Sequence, residues 1–594
     1  MLQTDRLSHS GRVTVHRMLE AIWINPTLGL EPFVALLLIG SISIFASEIY
    51  SVRRSQHLST NGTMSRFSEN IVKHFIREVH RRTSRNGVFP VVLGILITLA
   101  ITVTGCGNFG AGKGRVLILV VDGLRPDYVT EDIMPRLNAL AESGVRGLAH
   151  HAVVPTVTRV NGPSIFTGHY PSGHGMMGNS VYLADVDPDR TLDASDADDL
   201  RMIDEVTGGR LLTKPSLGEL LDEQDLVFFA ASSGSAGAGM LMNHRGAGVG
   251  LVHYEFTIPE SLGSIVTGEL GPLPEPRPDG SSIGLVARAV DALLRIGLDF
   301  GNADVLALWL TEPDKAAHAT GIGSPTTLAV LRSLDEEIGR LLDGLAERGV
   351  LETTNILVTS DHGFTTRTGT SSLSNLLVEE GLKEASTSMD VVVAGGAIHV
   401  LEGGAERIAD IVHVLQRTDW IGPVFTSADP DDANLGHLPG TLAYAAIGWN
   451  HQRASDIFTT QNWSSAVNEY GYAGEVLAPG IAGHGSTSPW DIRVAFIASG
   501  PDIKRGVVSN VPTGNIDLTP TALHLMGVPI QGGFDGRVLS EIFGEGPDPA
   551  TIDVQFDPVH AEVVLPDLSY QLTVERTRVG GSIYVDGTQV ERIR

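Results

Sequence analysis

Short apolar runs alternate with longer amphipathic stretches from Arg115 to about Gly544. "RVLILVVDG", "DVLALWLTEPD", "NILVTSDHG" and "IRVAFIASGP" are nearly continuous in Val, Ile, Leu and Ala. Continuous apolarity predicts strands covered on both faces, as in a parallel sheet between helical layers. "TLAVLRSLDEEIGRLLDGLAERG", residues 327–349, carries apolar positions at helical spacing and closes on a glycine, which predicts a helix packed on that sheet. The fold class that follows is α/β, a central and mostly parallel β-sheet flanked by helices. "LGPLPEPRPDGSS", residues 270–282, reads as a loop or linker. From about residue 546 the pattern changes to short alternating runs, which predict a small β extension over 546–594. Within it, "VDGTQV" reads as a hairpin with Asp586-Gly587 at its turn.

Two apolar runs precede this region. Pro32–Ala46 is short for a membrane span. Val88–Gly105 follows the basic stretch "REVHRRTSR" and ends in "VTGC". A basic segment, an apolar segment and small residues at the end describe a secretory signal. The ending resembles a bacterial lipobox, with Cys106 as the acylated residue. This predicts an exported lipoprotein held at the extracytoplasmic membrane face by lipid on Cys106, an uncleaved signal anchor being the alternative. Met64 opens a precursor of more usual length, so 64–106 reads as the signal peptide. Residues 1–63 read as a start assigned too early or as an additional segment.

Composition narrows the chemistry. The chain has 42 Lys+Arg against 69 Asp+Glu, a net charge of −27, which argues against binding to duplex nucleic acid. Cys106 is the only cysteine, so neither an intrachain disulfide nor a cysteine zinc site is available. Any metal must be held by His, Asp and Glu. Three predicted strands lead into acids: Asp122, Asp314 and Asp361, the last followed by His362. Ligands of open α/β sheets bind beyond the carboxyl ends of the strands, so these residues are predicted to meet at one rim. Asp314 and His318 are spaced i, i+4 and share a face of a helix starting at Pro313. His484 precedes the last strand in a glycine-rich loop. Singly, each reads as a cap or a solvated face. Together, three strand-end acids and three histidines point to two metal ions with oxygen and nitrogen ligands.

These residues, with Thr158 in "PTVT", occur in the order and local contexts of the alkaline phosphatase superfamily. Over roughly Arg115 to Gly544 the chain resembles the type I phosphodiesterase/nucleotide pyrophosphatase family, which assigns 107–545 to the catalytic domain. The resemblance implies Thr158, not Thr156, as nucleophile and Asn179 in "PSGHGMMGN" as a donor to a phosphoryl oxygen. It implies two divalent cations, zinc by resemblance. One is held by Asp314, His318 and His484, the other by Asp122, Asp361 and His362 with Thr158. The implied activity is cleavage of phosphodiester or pyrophosphate bonds in a phosphorylated small molecule or lipid, through a phosphothreonine. A phosphomonoesterase, a phosphonate hydrolase and a phospho-group transferase are alternatives on the same site. A non-catalytic binding lipoprotein is an alternative of another class. His174 in "SGHG" reads as structural.

The chain also departs from the family. Where many members follow the nucleophile with Phe-Pro-Asn-His, this one has Arg159-Val160-Asn161-Gly162. Arg159 is therefore a candidate contact for a second anionic group, or a solvent-facing side chain. Trp309 is a candidate for one face of a nucleobase slot, or a core strand residue. Residues 366–483 separate the last two metal motifs and predict a cap-like insertion that sets substrate choice.

Overall fold

The structure, a computed structural model, describes residues 114–530 and 532–594. The signal-like run and Cys106 lie outside the described residues. Among the described residues no helix is long and apolar enough to cross a membrane.

The strands predicted from the apolar runs pair in a ten-stranded sheet. In chain order, nine of its members are β1 (Arg115–Val121), β2 (Val145–His151), β3 (Phe228–Ser232), β4 (Gly250–His253), β5 (Thr257–Ile258), β6 (Val305–Leu310), β7 (Thr354–Thr359), β8 (Arg493–Ser499) and β9 (Val507–Ser509). Across the sheet they lie β9-β2-β8-β7-β1-β6-β3-β4-β5, with Thr513–Gly514 added beside β2. β8 runs antiparallel to β7 and β2, and β5 to β4. The other pairings are parallel. The helices that matter here are α1 (Pro135–Ser143), α2 (Thr158–Thr167), α3 (Ala236–Met242), α4 (Asp314–Thr320) and α5 (Pro325–Glu347).

β1 shows why its run is apolar throughout. Leu117, Leu119 and Val121 enter one core with Leu137 of α1 and Val330, Leu334 and Leu341 of α5. Val116, Ile118 and Val120 enter the opposite core with Ile165 and Phe166 of α2 and Ala238 and Met242 of α3. Each such enclosed side chain contributes about 1.5–3 kcal/mol of burial free energy, so a polar residue on either face is costly. Register then sets the rim: Val121 pairs with Leu310, and Val120 with Thr359. The chain therefore leaves β1, β6 and β7 at one level. β8 runs the other way, so its beginning lies at that same level.

The segment between β7 and β8 holds a five-stranded sheet, ordered Val391–Ala394, Ala397–Val400, Ile457–Gln461, Ile421–Thr426, Leu442–Ala443. This sheet shares an apolar core with Met176, Leu200 and Leu211, and with Tyr570 and Leu572 near the C-terminus. A second, smaller sheet joins Trp463–Val467, Ala473–Val476, Thr365–Arg367 and Ala482–Gly483. The C-terminal strands, Gln555–Phe556, Val559–Val564, Ser569–Val579 and Ser582–Ile593, form an antiparallel sheet.

The turn in that last sheet differs from the sequence expectation. Asp586-Gly587 lies inside the strand Ser582–Ile593. The reversal falls at Gly580-Gly581, where Gly580 has φ +61. Two glycines adopt the turn at less cost, and Asp586 is engaged elsewhere, 3.0 Å from His151 Nε2.

Candidate active site

Asp122 follows β1 directly, and Asp314 opens α4 just after β6. Asp361 and His362 follow β7, and His484 arrives ahead of β8. Backbone bonds tie these segments together. Asp122 N–H donates to Leu310 O at 2.9 Å, and Asp314 N–H donates to Asp122 O at 3.1 Å. Gly123, at φ +75, donates its N–H to Asp361 Oδ1 at 3.2 Å. A β-carbon at Gly123 would meet the Phe364 ring at 3.0 Å, so both conformation and space call for glycine.

Two groups of three ligand atoms result: Asp122, Asp361 and His362, and Asp314, His318 and His484. Within each group the atoms lie within 4.8 Å of one another. His362 Nε2 is 3.0 Å from Asp361 Oδ2 and 3.5 Å from Asp122 Oδ1. Asp314 Oδ1 is 3.3 Å from His318 Nε2 and 3.4 Å from His484 Nε2. The groups adjoin: the His362 and His484 rings stack with centroids 3.4 Å apart.

The second nitrogen of each imidazole faces a backbone carbonyl. His362 Nδ1 meets Gly363 O at 3.1 Å, His318 Nδ1 meets Ala482 O at 3.1 Å, and His484 Nδ1 meets Thr156 O at 2.9 Å. A carbonyl only accepts, so Nδ1 carries the proton and Nε2 turns its lone pair to the centre. Asp122 Oδ1, Asp314 Oδ1 and Asp361 Oδ2 are buried and accept no hydrogen bond of ordinary geometry. Leaving a buried acceptor unpaired costs about 1–3 kcal/mol. Burial, with the Asp361 and Asp314 carboxylates, pushes Asp122 well above the usual carboxylate range. Burial, with the His362 imidazole, pushes His484 down to about 4. Six converging acceptors, met only by the Thr158 hydroxyl at His362 Nε2, are what divalent cations require, and the residues present fit two such ions.

Thr158 opens α2, and its buried hydroxyl lies 3.2 Å from His362 Nε2, at the positive end of a ten-residue helix. Thr156 turns away. Its hydroxyl donates to Ser486 O at 2.7 Å and accepts from Gly485 N–H at 3.1 Å, which fastens the loop carrying His484. Ser164 bonds His174 Nε2 at 3.0 Å, and Thr167 donates to Pro163 O at 2.7 Å. His174 also accepts from Met176 N–H and is fully buried, a structural place. Asn179 Oδ1 accepts from Arg159 N–H at 3.0 Å, which leaves the Asn179 amide N–H groups free to donate. Arg159 Nη2 donates to Ser235 Oγ at 2.6 Å.

Trp309 is not a nucleobase contact. Its side chain is fully enclosed, facing the α2–α3 core, with Gly162 and Gly234 against the ring. Its Nε1–H donates to Asp122 Oδ2 at 3.0 Å, which turns Oδ1 toward the ligand cluster. The indole supports a carboxylate instead of a substrate.

Several supports escaped sequence reading. Arg367 Nη2 donates to His484 O at 3.1 Å, its guanidinium filling the space a side chain on Gly483 would need. Asp491 accepts from Ser486 N–H at 3.0 Å and from Ser486 Oγ–H at 2.6 Å. Asn515 Nδ2 donates to Ser360 O at 3.0 Å, beneath Asp361. Thr588 of the C-terminal sheet sets its hydroxyl 2.5 Å from that of Thr487, behind His484. None belongs to a local motif. Gly483, directly before His484, is the one signal, since a glycine there marks close backbone approach.

The family model for type I phosphodiesterase / nucleotide pyrophosphatase matches residues 116–481. Venom phosphodiesterase 2 of Crotalus adamanteus is 25% identical over 258 residues, 43% of this chain and 27% of its own length. Ectonucleotide pyrophosphatase/phosphodiesterase family member 3 of Mus musculus is 25% identical over 254 residues, 42% of this chain and 25% of its own. The chain thus spans about a quarter of the length of these curated relatives. Murine ectonucleotide pyrophosphatase/phosphodiesterase 5, solved as an inactive variant in complex with AMP, shares the fold with a TM-score of 0.51. That likeness has 17% identity and covers 73% of this chain and 100% of the other. The matched range holds Thr158, Asn179 and every clustered ligand except His484. With well over half of its length matched, the chain belongs to the type I phosphodiesterase/nucleotide pyrophosphatase family of metal-dependent phosphoric ester hydrolases, within the alkaline phosphatase superfamily.

Proposed function

We propose that this chain hydrolyses phosphodiester or pyrophosphate bonds of a phosphorylated small molecule, through a phosphothreonine on Thr158. The observation that carries the reading is the Thr158 hydroxyl, 3.2 Å from His362 Nε2, beside two clusters of metal-ligand type. Asp122, Asp361 and His362 would hold one cation next to Thr158, and Asp314, His318 and His484 the other. Three imidazoles beside three carboxylates suit zinc. Bound there, the cations would supply the positive charge that makes the threonine oxygen nucleophilic at neutral pH and takes up charge on the departing oxygen.

The chain's own residues do the rest. Thr158 Oγ forms its bond to phosphorus as the bond to the leaving oxygen breaks in line. Asn179, oriented by the Arg159 N–H, donates to a non-bridging oxygen as charge grows there. The leaving group departs past His318, the ligand most open to solvent. Water entering on that side then bonds to phosphorus and releases Thr158. The relatives' names, venom phosphodiesterase and ectonucleotide pyrophosphatase/phosphodiesterase, support the same reaction class.

The test uses the full-length protein in detergent, zinc-loaded, with bis-p-nitrophenyl phosphate as substrate. Thr158→Ala is expected to lose turnover by on the order of 10³-fold while both ions stay bound by elemental analysis. Turnover equal to wild type overturns the reading. Full loading with manganese at equal turnover, and none with zinc, overturns the metal assignment.

We also propose export and lipid anchoring through Cys106. The support is the place of the sole cysteine, after a basic and then an apolar run. Mass analysis of the N-terminal peptide from membranes should find Cys106 acylated. An unmodified Cys106 in membrane-bound protein overturns it.

A further inference from the structure

Arg159 stands one residue after the attacking hydroxyl, and its guanidinium closes on no carboxylate, although its charge is felt at Asp122. Arg125, Arg190 and Arg537 each close on a carboxylate at 2.5–2.7 Å. Arg159 enters no ion pair among the described residues. Its one side-chain partner is neutral, Ser235 Oγ at 2.6 Å. Its Nε–H is buried and meets no acceptor. A guanidinium offers five N–H donors in a fixed fork, and a buried charged donor without a partner is costly. Such a cost makes sense where the partner arrives with substrate.

The surroundings hold the guanidinium in place. Ser235 is itself rigid, since its hydroxyl accepts from Ala238 N–H at 3.2 Å and caps α3. The Arg159 backbone N–H holds Asn179. The guanidinium and the Asn179 amide thus belong to the residues that flank Thr158. The floor beside them offers no ring face from Trp309, which is enclosed behind Gly162 and Gly234. With a net charge of −27, the long-range field repels anions, so a fixed local cation weighs more.

We propose that Arg159, held by Ser235, is an anion subsite that sets substrate class, favouring substrates in which the group taken up by Thr158 carries a second negative charge. That charge is either the third oxygen of a phosphomonoester or an acidic substituent retained on phosphorus. Diesters whose retained substituent is neutral are the disfavoured class. The inference rests on the hydrolase reading above and deepens it: bis-p-nitrophenyl phosphate, whose retained substituent is neutral, is then a slow substrate, and a monoester preference would replace the phosphodiester part of that reading.

Three substrates with one leaving group test it on the zinc-loaded full chain: p-nitrophenyl phosphate, carboxymethyl p-nitrophenyl phosphate and ethyl p-nitrophenyl phosphate. Wild type is expected to favour one or both anionic substrates over the ethyl ester, and which one identifies the source of the charge. Arg159→Ala should lower that ratio of kcat/KM about 30-fold, the scale of a charge-assisted hydrogen bond, mostly through KM. Arg159→Lys keeps the charge without the fork and should lower it severalfold. If the alanine variant does not fold, the lysine variant carries the test. Equal loss on all three substrates overturns the proposal, because a merely structural role acts that way.

A binding readout separates this from the hydrolase reading. In the Thr158→Ala background, calorimetric titration should show inorganic phosphate binding more tightly than dimethyl phosphate. Adding Arg159→Ala should weaken phosphate alone. If wild type hydrolyses none of the three substrates but phosphate binding still depends on Arg159, the hydrolase reading fails and the subsite stands. If the ethyl ester is hydrolysed and no ratio moves, the subsite fails and the hydrolase reading stands.

Discussion

Asp361 and His362 are wholly enclosed, whereas Asp314 and His318 keep 21% and 38% of their side-chain surface exposed. The difference follows from what carries each group. The enclosed ligands stand within three residues of β1 and β7, between the two core layers. Trp309, the Gly123 N–H and Asn515 brace them. The two exposed ligands ride on α4, seven residues long, and their partner His484, 8% exposed, on a glycine-flanked loop ahead of β8. Their braces, Arg367 and Thr156, come from the rim itself. A sealed half suits a nucleophile that must meet phosphorus and not bulk water. An open half suits the exit of a leaving group and the entry of water.

Removing one ligand from each half breaks the comparison most sharply. Asp361→Asn should lower turnover by on the order of 10³-fold and cost thermal stability as well, since a buried network loses its charge. His318→Ala should lower turnover comparably while the melting temperature of the metal-free protein hardly moves. Calorimetric scans of both variants decide this, and equal stability losses would erase the distinction. A smaller effect is expected from Trp309→Phe, which keeps the packing but removes the donor to Asp122. Metal affinity of the sealed half should fall about 10–100-fold, read by competition with a chelator, while the open half is unchanged. In the wild type, a chelator should strip one ion about tenfold faster than the other, by the difference in exposure. Single-phase release would argue against two unlike sites.

The smallest effect concerns a histidine beneath the sealed half. His150 Nδ1 contacts Thr513 Oγ1 at 2.7 Å, and Nε2 lies 3.1 Å from Thr359 Oγ1. Burial, with His151 nearby, lowers it from 6.5 to about 3. The unfolded chain therefore binds a proton that the folded chain refuses. Its contribution to stability is complete above pH 6.5 and declines as pH falls toward 3, by about 1.4 kcal/mol per pH unit. Urea midpoints between pH 7 and pH 5 should fall more steeply for wild type than for His150→Gln. Parallel slopes would refute the assignment.

In both halves the sequence made the ligands readable and hid their braces. Strands such as β1 announce themselves by continuous apolarity, and an acid or histidine just past such a run stands out because nothing in the core tolerates it. Asp122, Asp314 with His318, and Asp361 with His362 could be placed at a rim for that reason. Trp309 was legible as a strand residue but not as a donor to Asp122, because its direction depends on which core its face enters. Arg367, Asn515 and Thr588 act across separations of more than 100 residues. Only the fold brings them to the ligands. The Asp586-Gly587 pair misled because its aspartate is used by His151. A local turn preference yields when a residue is spent on a long-range contact.

The reversed direction of β8 has an architectural consequence. The chain leaves the rim after His362 and comes back to it at His484, so the interval between begins and ends at one place. That interval is a cassette in the topological sense: strand order and all six ligands are indifferent to its length. Its five-stranded sheet packs with Tyr570 and Leu572, so the cassette comes in two pieces, one internal and one C-terminal. The second piece lies beyond the range the family model matches, and the first ends with it. Grafting either piece alone onto another member would leave an apolar face bare, and moving both together would still require the segment around Met176, Leu200 and Leu211 that completes their shared core.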